Sequence, residues 1–278
     1  MTDLLSWRPP TAIAPRGTLL LLPGRGEHPL VYERFGRRLA ADGYVVHALG
    51  TAPDDDAEAV LARAADAAGA DPAVPVVLIG SDTGALQALH TAAAADPGLP
   101  VEGVVVAGSA PTGARTSGAA APDPGQDTYP DPDTYPDPDT GPDTDTDTDT
   151  GPDTGWDAEL AARTACPTHR ARLTEDAAFV RGRLAAPVPA HLLTDVRPAA
   201  PALILHGEAD PVTPPEQARA LAARLPRATL GVLHDGLHDV LNDASHRSAA
   251  AVVVLWLERL RADPGLSPIL TIEQGAAL

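Results

Sequence analysis

Short apolar runs recur along the chain, and between them lie stretches in which apolar residues return every three or four positions. The runs are rich in Val, Leu and Ile and are bounded by Pro or Gly. Such runs are typical of strands buried on both faces of a parallel sheet. They predict strands near residues 17–22, 44–48, 75–79, 101–106, 201–205 and 228–233.

Helical patterns alternate with these strands. They fall near residues 30–42, 55–69, 84–95, 215–225 and 239–261. This alternation predicts an α/β fold, with a doubly wound, mostly parallel sheet and helices on both faces.

The alternation stops between residues 109 and 197, where only two helical patterns remain, near 156–164 and 174–185. We therefore expect residues 1–108 and 198–278 to form the core and 109–197 to form a small helical cap.

Residues 121–155 form a low-complexity tract inside the predicted cap. The tract holds 11 Asp and no basic residue, and it repeats Asp-Thr-Tyr-Pro-Asp-Pro at 127–132 and 133–138. It has too little apolar surface to offset its chain entropy, and its prolines oppose regular structure, so we expect it to be disordered. The tract lacks the Gly and Glu pattern of a calcium loop, and we expect no metal site.

Charge and composition narrow the possible partners and the location. The net charge of −18 disfavours nucleic acid, although the acidic tract supplies 11 of the negative charges. The single cysteine, Cys166, excludes an internal disulfide. No signal peptide and no bilayer-spanning apolar stretch is evident, so we expect a cytoplasmic protein without a membrane span. All 20 basic residues are Arg, which indicates a bacterial high-GC codon bias. The oligomeric state is not indicated.

The motif richest in chemical meaning lies at residues 76–86, where a buried strand turns into a helix through Gly-Ser-Asp-Thr-Gly. This is the pattern of a nucleophile elbow, in which small flanking residues let the turn close tightly. Asp82 stands at its apex, and the backbone N–H of Thr83 follows directly. The elbow therefore predicts a carboxylate raised above the carboxyl edge of the sheet.

Two further motifs complete a possible catalytic set. Asp210 lies in the turn after the strand predicted at 201–205, and His238 lies at the start of the last predicted helix. Nucleophile, acid and base then occur in the chain order that α/β-hydrolases use. All three positions follow strands, so they are expected at the same edge of the sheet.

With Leu-Pro-Gly-Arg-Gly-Glu-His at residues 22–28, these motifs resemble the monoglyceride lipase, lysophospholipase and serine aminopeptidase-like group of α/β-hydrolases. The resemblance covers residues 16–108 and 198–260. It implies an α/β-hydrolase fold, a small-molecule substrate and no cofactor. It also implies an oxyanion hole, formed beside Gly24 and His28 by the backbone N–H groups of Arg25 and Thr83. Asp82 stands where this group has its nucleophilic serine.

The aspartate leaves several roles open. Asp82 can attack an sp³ carbon and form an alkyl ester, which water activated by His238 then hydrolyses, with Asp210 orienting the imidazole. It can instead act as a general base in hydrolysis or elimination on an ester-like substrate of secondary metabolism. A non-catalytic binding protein with a hydrolase pocket is the alternative from another class. Ser81 is a further candidate nucleophile, one position off register, and Arg25 can meet an anionic substrate.

Overall fold

Seven strands form a single sheet at the centre of the molecule. The computed structural model describes residues 4–95, 98–112 and 154–271. The strands are β1 (Leu4–Trp7), β2 (Thr18–Leu22), β3 (Val45–Leu49), β4 (Val76–Asp82), β5 (Val101–Ser109), β6 (Ala202–Gly207) and β7 (Ala228–Leu233). Their order across the sheet is β1-β3-β2-β4-β5-β6-β7, and all neighbours pair in parallel except β1 with β3.

Seven α-helices accompany the sheet in the described ranges. They are α1 (Glu33–Ala41), α2 (Ala57–Ala68), α3 (Thr83–Ala94), α4 (Thr154–Arg163), α5 (Pro167–Glu175), α6 (Pro215–Arg224) and α7 (His246–Ala262). Short 3-10 helices span Pro29–Tyr32, Arg183–Ala185 and Ala190–Leu193. Apolar residues of α1 and α7 pack on one face of the sheet, and those of α2, α3 and α6 pack on the other. The expected doubly wound α/β sheet is confirmed.

The edge strand β1 was not predicted from the sequence. Its four residues alternate between exposed and partly buried positions, so they do not form a buried apolar run. It pairs antiparallel to β3, with Leu4 opposite Leu49. An edge strand needs only one partner, which is why so short and weakly apolar a segment is found here.

The helix predicted at 239–261 begins seven residues later, at His246. Residues 239–245 form turns instead of a helix because the Asp243 carboxylate binds backbone N–H groups outside this segment. Its carboxylate accepts from the backbone N–H groups of Ala165 at 2.7 Å and Leu237 at 2.9 Å. Asp side chains that bind backbone N–H groups compete with helix formation, and here they leave His238 in a loop.

The prediction of a helix near residues 174–185 is wrong. The helix in this region is α5, which begins with Pro167 at its first turn, a position that suits proline. It ends at Glu175, and farther on Gly182 adopts a left-handed conformation with φ 77° before a 3-10 turn. Pro167 marks the start of this helix in the sequence, whereas the apolar periodicity did not indicate it.

The described part of the predicted cap, residues 154–197, lies against the loops at the carboxyl edge of the sheet. The Val180 N–H donates to Gly26 O at 2.9 Å, and Arg25 Nη1 donates to Ala186 O at 2.6 Å. Most of the tract predicted to be disordered lies outside the described residues, but its last two residues belong to α4, which corrects the predicted boundary. None of the helices in the described ranges is long and apolar enough to cross a bilayer.

Candidate active site

Asp82 ends β4 and begins the turn into α3. Its backbone has φ 51° and ψ −119°, a conformation that L-residues rarely adopt. Close packing holds the turn: a Cβ at position 80 would lie 2.1 Å from Gly84 O, and one at position 84 would lie 2.2 Å from Leu22 O. The two glycines therefore let strand and helix meet, and the Asp82 side chain stands at the carboxyl edge of the sheet.

The structure brings Asp82, His238 and Asp210 into direct contact. His238 Nδ1 lies 2.8 Å from Asp210 Oδ2, and His238 Nε2 lies 3.3 Å from Asp82 Oδ1. All three are buried, with His238 fully so. The imidazole is therefore held between two carboxylates, with one ring nitrogen facing each.

Asp210 is fixed by its own turn. Its Oδ1 accepts from the backbone N–H groups of Val212 at 2.8 Å and Thr213 at 3.1 Å, while Oδ2 faces His238. The turn after β6 thus orients the carboxylate and leaves one oxygen for the imidazole, which is the arrangement that a triad acid needs.

Arg25 binds both oxygens of the Asp82 carboxylate. The backbone N–H and Nε of Arg25 both donate to Asp82 Oδ2 at 2.8 Å, and Nη2 donates to Oδ1 at 2.7 Å. Arg25 is itself only 3% exposed and Asp82 only 1%. Such a bidentate pair fixes both the position and the charge of the carboxylate. Sequence reasoning identified the Arg25 N–H but not this use of its guanidinium.

The charges at the site reinforce one another. Burial alone would raise the pKa of the Asp82 carboxyl, but hydrogen bonds from His238 and Arg25 outweigh burial and hold that pKa well below its usual range. Burial alone would lower the pKa of His238, but the charge and hydrogen bond of Asp210, followed by those of Asp82, raise it to about 10. At neutral pH the site therefore holds an imidazolium and a guanidinium against two carboxylates.

The other residues predicted to form or flank the oxyanion hole are Gly24, Thr83 and His28. Gly24 lies against the elbow, where an added Cβ would be 2.7 Å from Asp82 Cβ, so only glycine lets the loop come this close. Thr83 is buried beside the apex, yet within the described residues its N–H makes no cap hydrogen bond to the Asp82 side chain. His28 Nδ1 accepts from Leu30 N at 3.3 Å and caps a 3-10 helix. Its ring therefore caps the 3-10 helix Pro29–Tyr32.

Ser81 lies next to the apex but faces a different partner. It is 3% exposed, and its hydroxyl forms a hydrogen bond with Tyr32, which in turn donates to Glu27. Among the described residues of the elbow, it is the Asp82 side chain that contacts His238.

A second buried charge cluster lies behind the Arg25 loop, and sequence reasoning missed it. Arg163 from α4 is fully buried, and its Nη2 donates to Arg25 O at 2.7 Å. Its guanidinium lies within 3.0–3.5 Å of carboxylate oxygens of Glu27, Glu159 and Asp239. The Arg163 guanidinium therefore links α4 of the cap to the loop that carries Arg25, the partner of Asp82. An arginine on an amphipathic helix gives no sequence signal for such a role.

No group of His, Cys, Asp and Glu side chains suited to a metal ion is present within the ranges that the structure describes. The charged groups at the site are instead paired with one another, which leaves no set of free ligands for a cation.

Comparison with known structures gives the same architecture. A monoacylglycerol lipase of Paleococcus ferrophilus superposes with a TM-score of 0.61 at 18% identity, covering 91% of this chain and 97% of that one. A soluble variant of the Saccharomyces cerevisiae monoglyceride lipase gives 0.59 at 15%, covering 92% and 91%. A type II thioesterase of the yersiniabactin pathway, YbtT, gives 0.54 at 16%, covering 91% and 97%. At these identities the similarity concerns the fold.

No curated protein matches the chain at a significant level. Residues 19–254, however, match the Alpha/beta hydrolase family, and this range contains the elbow, Arg25, Asp210 and His238. The match extends from β2 into α7 and so covers most of the chain. The chain therefore belongs to the Alpha/beta hydrolase family, as a hydrolase of the α/β-hydrolase superfamily.

Proposed function

We propose that this hydrolase acts on small organic substrates through an Asp82–His238–Asp210 triad in which Asp82 is the covalent nucleophile. One observation carries the proposal. The Asp82 carboxylate directs Oδ1 toward His238 Nε2 and Arg25 Nη2, and it directs Oδ2 toward the backbone N–H and Nε of Arg25. The two oxygens of one carboxylate thus have different surroundings, which suits a reaction that uses them differently.

The charge state favours a nucleophile over a general base. A general base works best when its pKa is near the working pH, whereas the pKa of Asp82 lies far below it. A carboxylate that stays ionised can still attack an sp³ carbon. Oδ1 forms the new C–O bond, the bond to a halide or epoxide oxygen breaks, and the leaving group takes the electron pair. The product of this step is an alkyl ester of Asp82.

The ester then changes the state of His238. Once Asp82 is esterified, one of the two anions that raise the histidine pKa is gone, so the pKa falls and the neutral base becomes available. His238 takes a proton from water, and the hydroxide adds to Asp82 Cγ. Negative charge develops on Oδ2, where the Arg25 N–H and Nε lie at 2.8 Å, the distance expected of oxyanion donors. On collapse, the Oδ1–alkyl group leaves and takes the proton that His238 holds, which gives the alcohol. The carboxyl group left on Asp82 contains one oxygen from water, and it ionises to restore the carboxylate.

Substrate access requires the cap to move. Asp82 and His238 are 1% and 0% exposed, and the Arg25 side chain that covers Asp82 is bound to Ala186 O in the cap. Opening the cap would free Nη1 and expose the carboxylate. Cap motions of this kind admit substrate and then exclude water during the reaction.

A second candidate is hydrolysis of esters or thioesters, favoured by the lipase and thioesterase structures that share this fold. Here neutral His238 would activate water directly, and the substrate carbonyl would take the Arg25 N–H. Asp82 now occupies that N–H, so the carboxylate would have to move aside. A carboxylate is also a better leaving group than an alkoxide, which makes Asp82 a poor nucleophile toward an ordinary ester. These two points rank this candidate second.

The test combines a substrate screen with an isotope experiment. Purified protein is assayed with haloalkanes, epoxides, acyl esters and acyl thioesters. With the best substrate, a single turnover in ¹⁸O-labelled water should place the label in the peptide that contains Asp82, while the first alcohol formed carries unlabelled oxygen. Label in the first product instead of the peptide would reject the covalent mechanism and support direct attack by water.

Variants separate the roles of the residues. Asp82→Asn should abolish turnover of alkyl electrophiles, whereas Ser81→Ala, the matched control one position away, should retain it. His238→Gln should stop the reaction after the first step and leave a stable mass increase on Asp82. Wild-type turnover by Asp82→Asn together with an inactive Ser81→Ala would show that the nucleophile was assigned to the wrong residue.

A further inference from the structure

His206 is a buried residue at the end of β6 that the proposed reaction does not use. It is 1% exposed, and its Nε2 lies 2.9 Å from Thr213 O. Because a carbonyl oxygen only accepts, Nε2 carries the proton and donates it to Thr213 O. The ring is neutral, since burial lowers the pKa of His206. His206 is therefore a neutral hydrogen-bond donor to the turn that follows its own strand.

The His206 side chain occupies this position at a cost in stability. Its Nδ1 is enclosed and has no hydrogen-bond partner within the described residues. A buried polar atom without a partner costs free energy, and an apolar side chain of similar size would avoid that cost. Departures from this rule are expected at functional sites. The contact that the other ring nitrogen makes is therefore the feature to explain.

That contact closes the turn that carries the triad acid. Asp210 Oδ1 accepts from the N–H groups of Val212 and Thr213, and Thr213 O accepts from His206. Thr213 is thus bound through its N–H to Asp210 and through its carbonyl to the end of β6. His206 Nε2 also lies 3.5 Å from Asp210 Oδ2, so the protonated nitrogen stabilises the ionised carboxylate as well.

The loop that leads to His238 is attached to the same strand end. The Ala209 N–H donates to Gly236 O at 3.0 Å, and a Cβ added at Gly207 would lie 2.2 Å from the same oxygen. The end of β6 therefore packs directly on this loop. Because the loop is fixed to β6, the contact between Asp210 and His238 depends on how firmly the turn that carries Asp210 is held.

We propose that His206 is a positioning residue of the triad: its Nε2–H closes the turn at residues 210–213 and so keeps Asp210 Oδ2 in contact with His238. This inference rests on the proposed triad, because His206 acts only through Asp210 and His238. It does not depend on whether Asp82 is the nucleophile, since the 2.8 Å contact between Asp210 and His238 is present before any reaction. The effect can therefore be measured in the free protein.

The test is NMR of the imidazole nitrogens in the full chain without substrate. In the wild type, His206 should carry its proton on Nε2, and a proton on Nδ1 would overturn the proposal. His206→Met keeps a side chain of similar size but removes the donor, so Asp210 should loosen and the pKa of His238 should fall by about 1 from about 10. His206→Gln restores an N–H donor and should recover most of that fall.

Gln87→Met is the matched control. Gln87 is 2% exposed and its Nε2 donates to Ala52 O at 2.7 Å, so this change also removes a buried N–H bonded to a backbone carbonyl, but away from the turn. It should leave the pKa of His238 as in the wild type. An unchanged pKa in His206→Met, or an equal fall in Gln87→Met, would show that His206 does not position the acid. Should His206→Met fail to fold, His206→Asn replaces it, because its amide is too short to reach Thr213 O.

A substrate from the screen described above adds a kinetic measurement. His206→Met should slow hydrolysis of the Asp82 ester about tenfold, because a loosened acid orients the imidazole less well, and it should leave formation of the ester unchanged. Once hydrolysis limits turnover, kcat falls while kcat/KM stays the same. Equal losses in both steps would contradict a role through His238. Label from ¹⁸O-water in the first product would reject the Asp82 ester alone, because the NMR result decides the role of His206 independently.

Discussion

Raising the pH above neutrality should discharge His238 and destabilise the folded chain. The histidine lies between Asp82 and Asp210, which raise its pKa to about 10 in the folded state from an ordinary value of 6.5. The folded state thus binds the proton more tightly than the unfolded state does. This stabilisation is fully present below pH 6.5 and is lost as the pH rises through about 10.

The size of the effect follows from that difference. At about 1.4 kcal/mol for each pH unit, the gap between 6.5 and about 10 corresponds to about 5 kcal/mol of unfolding free energy. A typical domain has only about 5–15 kcal/mol in total, so the loss should be evident. The raised pKa of Tyr44 acts in the same direction, but only above its ordinary value of 10.0. His238 therefore dominates the range between neutrality and pH 10.

Urea unfolding between about pH 6 and 10 measures this loss directly. His238→Gln is the informative variant, because every other titrating group is shared with the wild type and cancels in the difference. His234→Gln is the control: this histidine pairs with Glu208 but its side chain is 85% exposed. Its pH dependence should match that of the wild type. NMR of the imidazole nitrogens gives the pKa of His238 independently.

The same titration distinguishes the two proposed reactions. Attack by Asp82 on an alkyl electrophile needs only the carboxylate, so the rate of the first step should be flat from about pH 6 to 9. Direct activation of water needs neutral His238 from the start, so kcat/KM should rise about tenfold per pH unit. A histidine that titrates near 6.5, with equal pH slopes for the wild type and His238→Gln, would refute the electrostatic reasoning.

Three further changes test the packing of charges around the site. Arg163→Met should cost about 3–5 kcal/mol in urea unfolding because it leaves buried carboxylates uncompensated, whereas Arg37→Met, at an exposed ion pair, should cost less than about 1 kcal/mol. Gly24→Ala should cost about 1–3 kcal/mol and lower activity, because its Cβ would meet Asp82 Cβ; wild-type stability would contradict the close contact. Arg25→Met should destabilise by about 3–5 kcal/mol, and adding Asp82→Leu should recover part of that loss in the double variant; strictly additive costs would contradict a pairing between the two.

The sheet and the elbow could be predicted because their signals are local. Five of the seven strands are largely buried apolar runs, and β7 is a partly buried one. The turn at Asp82 is encoded by the small residues on either side of it. The positions of Asp210 and His238 followed from the rule that parallel strands end at one edge. In each case the physical cause lies within a few residues of the feature.

The rest depends on contacts between distant segments. The late start of α7 follows from Asp243, which binds backbone groups of the cap. The sequence predicts that Arg25 can meet an anionic substrate, but the guanidinium pairs with Asp82, which is 57 residues away and gives no local signal. The same holds for Arg163, because two of its carboxylate partners, Glu27 and Asp239, lie 136 and 76 residues away in the chain. Arginine side chains are long and adaptable, so their partners are set by tertiary packing.

Buried Arg25 also explains how this fold accommodates an aspartate at the elbow. A lone carboxylate in so enclosed a position would cost several kcal/mol, and the imidazolium of His238 already has Asp210 as its partner. Arg25 supplies the second cation through three hydrogen bonds, so Asp82 and Arg25 balance each other as His238 and Asp210 do. A serine at the apex would leave the guanidinium unpaired. The aspartate and the arginine therefore form one buried ion pair, and a change at either residue should be felt at the other.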